Sequence, residues 1–158
     1  MIAELRAAGL QNRALLHSFD WGLLAECQAQ AADIPTSFLT QLPDNKDEVG
    51  EESSKSVSPD FTGRTADIPR MVKDAGGALW CPYVYDITPG LVATAKSLDL
   101  CVAVWTVNEP GDIDRMIDLQ VDAIVSDYPG RVQRRLSDRG LKWLSDERLA
   151  ERTASAVL

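Results

Sequence analysis

The residues with which this chain could do chemistry are few. There is one histidine, His17, followed by Ser18, Phe19 and Asp20; Trp80 and Trp105 sit in apolar runs, and Asp20 and Asp127 stand where such runs end. A histidine titrates near neutrality and can act as a general base, but no partner that would orient this one is evident. In an apolar strand a lone histidine reads more simply as a hydrogen-bonded core or rim residue. Ser18 does not stand in a nucleophile elbow and has no triad. Asp20 and Asp127 fall at helix starts, where capping is the expected work of a carboxylate. Cys27, Cys81 and Cys101 are scattered beside apolar residues, which reads as buried thiols in a reducing compartment. No pair of them has metal or redox spacing.

The elements that must position these groups alternate. Leu100 to Val107 is apolar at nearly every position, as in a parallel strand covered on both faces. Asn108 can cap the helix that follows, with Pro110 in its first turn and Asp112 and Asp114 near its positive end. Shorter strands are expected over 14–19, 37–40, 78–82 and 121–126. Between them lie helices with inward faces Leu23, Leu24, Cys27, Ala31, then Ile68, Met71, Val72, Ala75, then Leu91, Val92, Ala95, Leu98, and then Ile113, Met116, Ile117. Asp20 and Thr88 are natural caps, and Gly76-Gly77 stops a helix instead of opening one, so it is no phosphate loop. A last helix carries Val132 and Leu136 inward, with Arg131, Arg134 and Arg135 expected on a solvated face. Trp21 and Trp143 read as helix-packing residues. Strand and helix repeated about five times argue for a parallel sheet, either part of an α/β barrel or an open sheet.

Totals bound the function. The 158 residues carry 24 acidic and 16 basic side chains, a formal charge of -8, which gives no electrostatic footprint for nucleic acid or an anionic membrane. No apolar run approaches the roughly 18–20 residues of a membrane span, and the start lacks a signal peptide pattern, so a soluble, cytoplasmic chain is expected. Residues 41–64, acidic and poor in apolar groups until Phe61, read as a flexible insertion loop, and 141–158 as a tail.

Three motifs, in order, are His17-Ser-Phe-Asp20, Val104-Trp-Thr-Val-Asn108 and Val121-Asp-Ala-Ile-Val-Ser-Asp-Tyr-Pro129. Together they resemble the later strands, about the fourth to the eighth, of the glycerophosphodiester phosphodiesterase family. The resemblance runs from about residue 14 to 137. It implies an α/β fold, a partial TIM-type (β/α) barrel of about five βα units, with 1–140 as the C-terminal portion of a phosphodiesterase domain. It implies hydrolysis of glycerophosphodiesters to glycerol 3-phosphate and an alcohol, and a calcium or magnesium ion for the whole family domain. The family's His-Arg-Gly, Glu-Asn-Thr, Glu-x-Asp, second His-Asp and Glu-x-Lys motifs, which supply its metal carboxylates and acid/base histidines, are absent from this sequence. By resemblance, therefore, no residue here is expected to be catalytic or to ligate metal. Ser18, Phe19, Trp80 and Trp105 are expected at the substrate wall, with a small glycerophosphodiester as partner once a catalytic half is supplied. The alternative is a non-catalytic half-barrel that binds a second chain or itself through its open sheet edge.

Overall fold

The computed structural model describes residues 1–42 and 59–141. Five strands, β1 (Leu16–Ser18), β2 (Thr36–Thr40), β3 (Leu79–Pro82), β4 (Cys101–Val104) and β5 (Ala123–Ile124), pair in parallel in the order of the sequence. The helices are α1 (Ile2–Ala7), α2 (Trp21–Gln30), α3 (Ile68–Asp74), α4 (Pro89–Ser97), α5 (Pro110–Asp118) and α6 (Pro129–Asp138). Sequential parallel strands joined by crossovers of one hand put the connecting helices on one face, whereas a doubly wound sheet must reverse its order. The order therefore decides between the two expected architectures: this is an arc of an α/β barrel, not an open doubly wound sheet.

Local chemistry explains the boundaries. Asp20 caps α2 by accepting from the Leu23 N–H at 2.9 Å, and Thr88 caps α4 by accepting from Leu91 N–H, with Pro89 in the first turn. The helix ends repeat one device. After α3, α4 and α5 a single residue enters the left-handed region: Gly76 at φ +77°, Asp99 at +51° and Gln120 at +55°. The next N–H then returns to the carbonyl five residues back, from Gly77 to Val72, Leu100 to Ala95 and Val121 to Met116. Gly77 has a second reason to be glycine. A Cβ there would lie 2.7 Å from Val72 and 2.9 Å from the Phe38 ring, so the chain enters β3 with no room for a side chain.

Burial divides the strands by parity. Leu16, Phe38, Trp80, Val102 and Val104 join Leu24, Val72, Val92, Ile113 and Met116 in the main core, under the helices. Leu39, Cys81 and Ala103 form a second cluster on the opposite, inner face, where Phe19, Leu79 and Trp105 pack on them. Burial raises the Cys81 thiol to about 12, so it remains protonated and inert. Trp21 packs edge-on against Phe38, at 4.9 Å between ring centroids, and against Phe61. Phe61, near the end of the acidic stretch, is fully buried. The remainder of that stretch (43–58), and Trp143 with the tail, lie outside the described residues. No helix among the described residues is long and apolar enough to cross a membrane.

Candidate substrate wall at the carboxyl end of the strands

In an α/β barrel the carboxyl ends of the strands carry the chemistry, and the inner-face residues nearest that end form the floor of the site. Here that row is aromatic. Trp105 extends β4 by one residue and bridges to Tyr83, which extends β3. The Trp105 ring meets Phe19 edge to face at 5.4 Å and Tyr83 at a 54° tilt at 5.2 Å; Tyr83 in turn meets Tyr85 edge to face at 5.4 Å. Edge-to-face aromatic packing holds such a group rigid. The Trp105 indole N–H donates to the Cys81 carbonyl at 3.0 Å, which fixes the ring's orientation over the inner face. Tyr85 is largely exposed at the rim, its hydroxyl 3.3 Å from an Asp112 oxygen at the start of α5.

The sequence-derived wall was Ser18, Phe19, Trp80 and Trp105. The structure packs Phe19 against Trp105, buries Trp80 in the main core and engages Ser18 in the turn after β1. Trp80 is 1% exposed on the helix-facing side, and its indole N–H donates to Thr40 Oγ1 at 2.9 Å. Ser18 Oγ accepts from the Asp20 N–H at 3.0 Å and so organises the β1–α2 turn. Tyr83 and Tyr85 were missed. Pro82 reads as the end of the strand, and Tyr83 beyond it is 3% exposed and belongs to the main core, from which it meets Trp105.

His17 finds the partner that the sequence did not reveal. Its Nδ1 lies 2.9 Å from Ser37 Oγ, across the β1–β2 register. Partial desolvation lowers its pKa below the usual histidine value, which favours the neutral ring. This is the rim reading, now with its hydrogen bond.

Asn108 and Asp127 depart from the roles expected of them. The N-cap of α5 is Glu109, with no side-chain bond, and that of α6 is Tyr128, also without one. Instead Asn108 Nδ2 donates to Asp127 Oδ2 at 2.8 Å, while its Oδ1 accepts from Asp127 N–H at 3.0 Å and from Ser126 Oγ at 3.2 Å. The basic face of α6 is likewise not simply solvated. Arg131 donates to the Asn108 carbonyl, and Arg135 pairs with Asp114 of α5, whose carboxyl that bond holds below the usual range. Arg134 alone of the three fits the solvated reading.

A divalent cation needs several converging oxygen or nitrogen ligands. Among the described residues no group of three or more His, Cys, Asp or Glu side chains is placed to hold one. Asp20 and Asp127, the strand-end carboxylates, are each spent on the bonds given above. These residues do not fit a metal centre.

The profile of the Glycerophosphoryl diester phosphodiesterase family matches residues 1–131. The chain belongs to that family. No curated protein matches it. Among solved structures, it is 50% identical to a protein assigned as a glycerophosphoryl diester phosphodiesterase from Silicibacter pomeroyi, with a TM-score of 0.79 over 90% of this chain. A glycerophosphodiester phosphodiesterase from Parabacteroides distasonis shares the fold at 22% identity and a TM-score of 0.67 over 88% of the chain. The chain spans 44% of the first structure and 49% of the second, so its arc of five strands is part of their barrel.

Proposed function

We propose that this chain provides the substrate-side wall of a glycerophosphodiester hydrolase and does not hydrolyse the diester by itself. The observation that carries the reading is Trp105, partly exposed at the carboxyl end of β4 and packed against the partly exposed Phe19 and the buried Tyr83. An apolar wall of this kind takes the carbon face of a glycerol unit, leaving its phosphate and hydroxyls toward solvent or a facing surface. Hydrolysis also requires charge neutralisation at the phosphate and acid/base groups. Arg131 and Arg135 are already engaged, and the only histidine is bonded to Ser37. A catalytic half carrying the metal and histidine motifs would complete the site.

The direct test is to label the chain with 5-fluorotryptophan and titrate it with millimolar glycerol 3-phosphate. The Trp105 resonance, assigned with Trp105→Phe, should move while that of Trp80 stays still. Equal insensitivity of both would overturn the wall reading.

A second reading, self-association, draws on Leu15 and Val125, which are exposed beside the two edge strands. A mass that stays monomeric across a hundredfold dilution series rejects it.

A further inference from the structure

We infer that Asn108 is a positioning residue for the Trp105 wall, held there by its amide–carboxylate pair with Asp127; the inference rests on Trp105 being the substrate wall. An amide has an acceptor oxygen and donor hydrogens on one planar group, and Asn108 uses both sides at once. Its oxygen takes the Asp127 N–H and the Ser126 hydroxyl, and its nitrogen gives to the Asp127 carboxylate. A helix cap needs only the acceptor, and α5 makes no use of it. The donor is spent on a bond to a residue nineteen positions later, in the turn between β5 and α6.

That bond anchors the segment carrying Trp105. From the β3 side, Trp105 N–H donates to the Pro82 carbonyl at 3.2 Å, and the Val84 N–H donates to the Trp105 carbonyl. From the β5 side, Val107 N–H donates to Val125 O at 2.9 Å, and one residue on Asn108 locks into the next turn. Arg131, from the first turn of α6, closes the loop by donating to the Asn108 carbonyl, with its guanidinium 4.6 Å above the Tyr128 ring. Trp105 therefore sits on a strand end clamped on both sides. Aspartate at 108 would keep the acceptors but set two carboxylates against each other. Only the amide satisfies both partners.

The test uses the full chain labelled with 5-fluorotryptophan. In N108D the Trp105 resonance should shift or broaden while that of Trp80, in the main core, keeps its position. The exchange N108D/D127N puts the donor on the other side of the same bond, and should return Trp105 to its original position. A merely structural role would move both tryptophans together in N108D. That outcome, an unmoved Trp105 in N108D, or a double exchange that fails to restore it would each overturn the inference. Failure of the underlying reading looks different. In that case the exchange restores Trp105, which supports the positioning role, but glycerol 3-phosphate leaves the same resonance of the unsubstituted chain untouched.

Discussion

Trp80 and Trp105 stand on neighbouring strands, Trp80 at the second residue of β3 and Trp105 one residue past the carboxyl end of β4, each with its indole N–H bonded at about the same length. Trp80 gives its proton to the Thr40 side chain beneath the helices, and Trp105 gives its own to the Cys81 backbone on the inner face. One is sealed into the main core. The other keeps part of its surface open beside Phe19 and Tyr83. The difference is set by the parity of a strand position and by nothing in the residue type. A tryptophan on the helix side is an element of stability, and one on the inner side keeps part of its surface open.

Substitutions can separate these two roles. Trp80→Ala should cost the most, about 3–5 kcal/mol by chemical denaturation, because a fully buried indole leaves a cavity and an unpaired Thr40 hydroxyl. Gly77→Ala acts on the same side by overpacking Val72 and Phe38, and should cost about 1–3 kcal/mol in the same measurement. Trp105→Ala removes a partly exposed ring, so its cost should stay below about 2 kcal/mol. A Trp105 variant as destabilised as the Trp80 variant would erase the distinction between the faces.

The smallest effect concerns His17, at the amino-terminal row of the inner face. Its folded pKa is lowered, so the unfolded chain binds the extra proton first. The stability that the neutral ring contributes is present above the unfolded value, about 6.5, and is lost as pH falls through the lower folded value. His17→Gln should flatten that part of the stability–pH curve. An unchanged slope would show that partial desolvation of this ring does not set the pH dependence.

Much of the fold was legible in the sequence because its signals are local. Asp20 and Thr88 cap the helices expected of them, and the apolar faces Leu24–Cys27 and Ile113–Met116 are the buried ones. Gly76 stops α3. The wall was legible only in part. Strands covered on both faces are apolar at every position, so their sequence does not say which parity faces the helices, and Trp80 reads like Trp105 for that reason. Asn108 and Asp127 each fit a capping rule that looks a few residues ahead. Their actual bond spans nineteen residues, and only the closure of β4 beside β5 brings them together. Tyr83 lies beyond Pro82, where a local rule ends the strand, yet the parallel bridge to Trp105 carries the register onward.

We propose that this chain supplies a wall and not the reacting groups. The measurement that bears on it most directly is release of glycerol 3-phosphate from glycerophosphocholine by the purified chain, with calcium or magnesium at millimolar concentration. Release should be no faster than in the protein-free control. Sustained, metal-dependent turnover that Trp105→Ala abolishes would contradict it, and would require catalytic groups that the described residues do not bring together.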